Sequence, residues 1–135
     1  MLTGTTTITD PEFGDMKYIY GWVNTIQEFF GDTGFSFLCV AEAKPWEDIL
    51  PIQRKMHKKF SKHQKSIVKK INNDLSSLLY TPEGPRIVPK ELRFTRDGKV
   101  LLIFDALWEG QDEVRISIYP RFSCEEIKSC GVKYC

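Results

Sequence analysis

The chain has 135 residues, 41% of them hydrophobic and 13% aromatic, which suits one domain with one sizeable core and argues against disorder over most of its length. Nineteen basic residues against eighteen acidic leave a net charge of +1, too weak a field over the whole molecule to draw in nucleic acid or a membrane, so any such partner must meet a local patch. No run of eighteen apolar residues occurs and the opening MLTGTTTITDPEF lacks the layout of a signal peptide, so the expected location is cytoplasmic.

From about Thr5 to Ala43, β-branched and aromatic residues dominate, broken by turn signals at Phe13-Gly14-Asp15 and Gly31-Asp32-Thr33-Gly34. This pattern predicts strands near Met16 to Tyr20, Val23 to Phe29 and Phe35 to Ala41, joined as a meander. From Trp46 to Tyr80 the pattern changes: Ile52, Met56, Phe60, Ile67, Ile71, Leu75 and Leu78 recur at spacings of three, four or seven, a helical stripe. The helix is expected to begin near Leu50, with Pro51 in its first turn and Glu47 and Asp48 upstream to complement the dipole. Two prolines and a glycine in Tyr80-Thr81-Pro82-Glu83-Gly84-Pro85 close it. Asp97-Gly98, between Leu92–Thr95 and Val100–Phe104, predicts a tight two-residue hairpin turn. Val114, Ile116 and Ile118 share one face of a last strand that ends before Pro120. The expected fold is α+β: an antiparallel sheet of about six strands in the order βββ-α-βββ, with one long basic amphipathic helix packed on one face. Residues 1–135 form a single domain in this reading, with 123–135 as an irregular C-terminal tail.

Between Pro51 and Lys70 stand Arg54, Lys55, Lys58, Lys59, Lys62, Lys65, Lys69 and Lys70 with no acidic residue among them. On a helix they spread over the face left by the apolar stripe as a positive ridge, able to dock phosphates or an acidic protein patch, or simply to be solvated. His57 and His63, six residues apart, sit about 120° out of alignment and cannot form a metal pair at i, i+4. His63 is expected to pack near the apolar stripe and His57 to be exposed. Asp105, Trp108, Glu109, Asp112 and Glu113 form an acidic turn with an aromatic anchor, without a nucleophile or histidine to make it catalytic. Cys39 lies in an apolar run as a core residue, while Cys124, Cys130 and Cys135 lack metal or redox spacing and read as reduced thiols. No phosphate loop or nucleophile elbow is present, so the chain reads as a non-enzyme without cofactor or metal.

The run Asp10-Pro11-Glu12-Phe13-Gly14-Asp15-Met16-Lys17-Tyr18, followed by Tyr20-Gly21-Trp22, resembles the opening of a family of small bacterial domains of unknown function. Gln53, Arg54 and Phe60 match that family's helix pattern, and Asp97, Gly98, Leu101, Phe104, Asp105 and Trp108 match its hairpin. The resemblance covers roughly residues 10 to 120. It departs at Glu109-Gly110-Gln111-Asp112, where relatives carry an acidic or histidine-glycine step. Such domains resemble cytoplasmic immunity proteins that accompany bacterial polymorphic or contact-dependent toxins. The resemblance implies an antitoxin-like protein that neutralises a cognate toxin by stoichiometric binding and meets no membrane. The contacts would be Lys55, Lys58, Lys59, Lys62 and Lys65 on the ridge, or Trp108, Glu109, Asp112 and Glu113 on the acidic turn. The alternative is a nucleic-acid-binding module that lays the basic helix on phosphates.

Overall fold

Short runs of β-branched and aromatic residues between Pro- and Gly-containing turns give nine strand segments among the described residues, which are 6–24, 27–29, 35–76, 82–84, 86–108, 111–119 and 123–124 of this computed structural model. They are β1 (Thr7–Asp10), β2 (Gly14–Tyr18), β3 (Trp22–Val23), β4 (Gln27–Phe29), β5 (Phe35–Ala41), β6 (Ile87–Phe94), β7 (Val100–Trp108), β8 (Gln111–Tyr119) and β9 (Ser123–Cys124). One helix, α1 (Pro51–Asp74), separates β5 from β6. The sheet order is β1-β2-β3-β5-β6-β7-β8-β9, with β4 paired to β5. The chain is therefore α+β, with a mostly antiparallel sheet. Strand segments outnumber the six expected because β1 was not anticipated, the expected middle strand is split into β3 and β4, and Ser123 and Cys124 pair with β8 instead of belonging to an irregular tail. Residues 125–135 lie outside the described residues, as do the expected turn at 31–34 and the expected helix end at 77–81.

The sheet is not wholly antiparallel. β5 and β6 run parallel, with Leu38 opposite Glu91 and Ala41 opposite Phe94. The cause is α1, whose 24 residues rise about 36 Å and carry the chain back to the end of the sheet where β5 began. At the other end, Gln53 secures the crossover. Its side chain is fully buried; Oε1 accepts the N–H of Leu50 at 2.8 Å, and Nε2 donates to the carbonyls of Glu42 (2.8 Å) and Phe94 (3.0 Å). One amide thereby closes the helix N-terminus and joins it to the C-terminal ends of both parallel strands. Glu47, expected to complement the helix dipole, is instead engaged by the Lys44 N–H and by Arg96.

The helix buries Met56, Phe60, Ile67, Ile71 and Leu75 against Phe37, Leu92, Phe94, Leu102, Phe104 and Ile116 of the sheet. Phe94 takes edge-on contacts from Phe13 and Phe60, and Phe37 meets Phe104 in the same way. Ile52, counted in the apolar stripe from sequence, is more than a third exposed and lies on the β6–β7 turn. That turn is also one residue longer than expected. Phe94 pairs with Val100, Thr95 N–H donates to Lys99 O at 2.9 Å, Gly98 N–H donates to Thr95 O at 3.1 Å and Gly98 has a φ of +88°, so the loop is Arg96-Asp97-Gly98 with the glycine in the left-handed position.

Candidate functional site

The β1–β2 turn explains why the Asp-Pro-x-Phe-Gly run and the Gln-Arg pair occur in one chain. Asp10 accepts the N–H groups of Glu12 and Phe13 at 2.9 Å each on one carboxylate oxygen and Arg54 Nε at 2.8 Å on the other. Its carboxylate is nearly inaccessible, and burial pushes its pKa up; the Phe13 N–H, Arg54 and the Glu12 N–H overcome that and hold it below the ordinary carboxylate range. Phe13 enters the core beside His57, with ring centroids 4.3 Å apart. Gly21 fits the Gly-Trp pair because a Cβ there would come within 3.0 Å of Ala41 O, while Trp22 is buried and donates its indole N–H to Glu47 O at 2.9 Å. These residues build and orient the fold. They fix which face of α1 turns outward.

The two histidines exchange the places expected of them. His57 is buried and His63 is exposed. The buried face of α1 centres on Phe60 with Gln53 and His57 inside it, and Ile52 lies roughly a quarter turn from that centre, at the margin of the face. His57 Nδ1 lies 3.5 Å from Glu12 Oε2 without a hydrogen bond. Burial pushes the His57 pKa down, opposed by the carboxylates of Glu12 and Asp10.

Opposite that face, Lys55, Lys58, Lys59, Lys62, Lys65, Lys69 and Lys70 are exposed. Lys59 places its ammonium 4.5 Å from the Tyr119 ring centroid. Lys55, Lys58, Lys62, Lys65 and Lys69 follow one another at spacings of three, four, three and four and enter no ion pair with a described residue. That spacing keeps them in one line about 21 Å long on the solvent side. Like charges at these separations cost about 0.2–0.5 kcal/mol per pair, so the four neighbouring pairs oppose the helix by about 1–2 kcal/mol in sum. Arg54, the one guanidinium in the basic run, is withdrawn from the line by Asp10.

The acidic turn has a different character. Glu113 accepts Lys90 Nζ at 2.8 Å and Arg115 Nη2 at 3.1 Å, and Asp105 lies 3.7 Å from the same lysine. A register irregularity between Pro89 and Glu91 accompanies the turning of Lys90 toward these carboxylates. Lys90 is the main reason the Glu113 carboxyl stays below its usual range. Nearby, Glu91 is 3% exposed and held by two Arg93 hydrogen bonds at 3.0 and 3.1 Å. Among the described residues, Asp105, Glu91 and Glu113 on this side each face a cation. Trp108 and Asp112 belong to β7 and β8 by backbone, but their side chains, and Glu109 entirely, lie outside the described residues.

Sequence reasoning missed Trp46. It occupies the third position of the turn Lys44-Pro45-Trp46-Glu47, closed by Glu47 N–H to Lys44 O at 3.0 Å and by Lys44 N–H to Glu47 Oε1 at 2.9 Å. The indole is 79% exposed, with Lys44 Nζ 6.0 Å from its centroid. The available signal was proline at the second turn position, but five residues before a helix it reads equally as helix entry. Among the described residues no group of three or more His, Cys, Asp or Glu side chains is arranged to hold a metal ion, and no helix is long and apolar enough to cross a membrane. No family model matches the chain, and neither a search of curated proteins nor one of solved structures finds a match.

Proposed function

We propose that the chain is a binding protein of the immunity type, which neutralises a cognate bacterial toxin in the cytoplasm by stoichiometric association and lays the lysine line of its long basic helix on an acidic face of that toxin. The observation that carries the reading is the contrast between five aligned lysines without an ion-pair partner among the described residues and the acidic residues Asp105 and Glu113, which already face Lys90 and, for Glu113, Arg115. Uncompensated charge steers association and is relieved by a complementary surface, whereas internally paired charge has little left to offer a partner. The resemblance of the Asp10–Trp22, Gln53–Phe60 and Asp97–Trp108 segments to immunity-like domains supplies the biological setting, and the absence of a guanidinium from the line favours an acidic protein over a nucleic acid. The test is co-expression with the protein encoded beside this chain's gene, followed by affinity measurement across a salt series. A one-to-one complex that weakens with salt and protects cells is expected. If no toxin domain is encoded there and no protein partner co-purifies from the host, the reading is wrong, and salt-dependent binding to DNA or RNA would put the nucleic-acid module in its place.

A further inference from the structure

We infer that Trp46 and the lysine line form one composite surface that accepts an acidic amphipathic helix of a partner protein, its carboxylates along Lys55, Lys58, Lys62, Lys65 and Lys69 and an apolar side chain on the Trp46 indole. This deepens the lysine-docking reading and rests on it. Trp46 is a built feature. The turn that carries it is closed by two hydrogen bonds, pinned to the core by Trp22 Nε1 on Glu47 O and to the β6–β7 loop by Arg96 on Glu47. Such a turn holds the indole toward water in advance, so little ordering is left to be done when a partner arrives. A tryptophan presented in this way is the residue type most often found at the energetic centre of a protein interface.

The occupant follows from charge and spacing. The three-four-three-four repeat is that of a helix seam, so a second helix laid along α1 meets lysine stems at its own periodicity, with each ammonium within reach of a carboxylate. The line runs for about four turns, the length of an ordinary helix. Trp46 precedes the N-terminus of α1, the end at which the line begins with Lys55, so an apolar contact is offered toward that end of the charged row. A stacked nucleotide fits less well. The exposed Asp48 stands two residues after Trp46, and its negative charge disfavours the phosphates of a base laid on the ring more than the uncharged apolar end of a helix.

The experiment uses the full chain and two synthetic helical peptides of roughly twenty residues, long enough to span the line. Both carry glutamates at heptad spacing; one has a leucine pair at each end and the other has serines there. Wild type should bind the leucine peptide on the order of 30-fold more tightly than the serine peptide, the discrimination expected of an interface anchor. Tryptophan emission should shift to the blue on binding, and the part of it lost in Trp46→Ala reports Trp46 among the three tryptophans. Trp46→Ala should bind both peptides equally, at the level of wild type with the serine peptide. If Trp46→Ala keeps the preference, or if an oligo-dT strand shifts Trp46 emission more than the leucine peptide does, the composite surface is refuted. Equal binding of both peptides to wild type removes Trp46 and leaves the lysine line standing. Leucine-dependent binding without any binding of the serine peptide at about 50 mM salt removes the lysine reading instead, and no binding of either removes both.

Discussion

Arg54 donates its Nε–H to Asp10 at 2.8 Å across 44 positions of sequence, and this contact joins the β1–β2 turn to the second turn of α1. The same carboxylate closes its own turn through two backbone N–H groups, so a single side chain decides both the shape of the hairpin and its attachment. Asp10→Ala removes three hydrogen bonds to a buried anion and leaves their donors unsatisfied. A loss on the order of 3 kcal/mol is expected in urea unfolding, with Asp10→Asn losing less because its amide oxygen still accepts from the turn. An unchanged midpoint would show that the hairpin is held by Phe13 alone.

Stability should fall with acid in two stages. The His57 pKa is pushed down by burial, so the native state binds fewer protons than the unfolded chain near pH 6; this contribution is full above the unfolded value of about 6.5 and is lost as pH falls through the lower native value. Asp10 behaves in the same sense further down, full above its unfolded value and lost as pH drops through its depressed native one. Melting temperature measured from pH 8 to pH 3 should therefore decline below neutrality. His57→Gln should flatten the upper stage, and Glu12→Gln should enlarge it, because the carboxylate 3.5 Å away favours the imidazolium. A flat profile between pH 8 and pH 5 in wild type would contradict this assignment.

Gly98 is irreplaceable for two separable reasons. Its φ of +88° disfavours any side chain, and a Cβ would stand 2.8 Å from Ile52 Cγ1. Gly98→Ala should cost about 1–2 kcal/mol for the backbone alone, with a further steric part. Adding Ile52→Ala should recover only the steric part, and a double-mutant cycle measures it as the coupling between the two sites.

Charge reversal on the helix should separate binding from folding. Lys62→Glu turns three repulsive pairs, with Lys58, Lys59 and Lys65, into attractive ones, so chemical unfolding should show a gain of about 1–3 kcal/mol. The same substitution should abolish docking on an acidic partner. A variant that loses both stability and binding would assign Lys62 to the fold.

The helix and β5 were legible because their signals are local: a 3.6-residue stripe, and a short apolar run between turns. Strand direction is not local. Nothing in the alternation of Leu92 and Phe94 says that their strand runs parallel to β5, since that depends on where a long crossover lands. β1 escaped notice because Thr7, Ile8 and Thr9 present one apolar residue, too few to set a period. Gln53 and His57 are buried polar groups, satisfied or tolerated by partners far along the chain, so hydropathy alone found Met56, Phe60, Ile67, Ile71 and Leu75 but left these two out of that face and put Ile52 in it. The lysine line was visible as composition, whereas its lack of ion pairs among the described residues and the presentation of Trp46 depend on what neighbouring segments do.

The parallel pairing of β5 with β6 also sets an order of events at the ribosome. About 45 residues separate Ala41 from Ile87, so at the usual 5–20 residues per second the inner edge of β5 leaves the exit tunnel about 2–9 s before the strand that pairs with it arrives, and the end of α1 about 0.6–3 s before. In that interval α1 can cover only the first meander. The row of mutually repelling lysines then accompanies every exposed apolar segment of the nascent helix, and discourages two unfinished chains from meeting there.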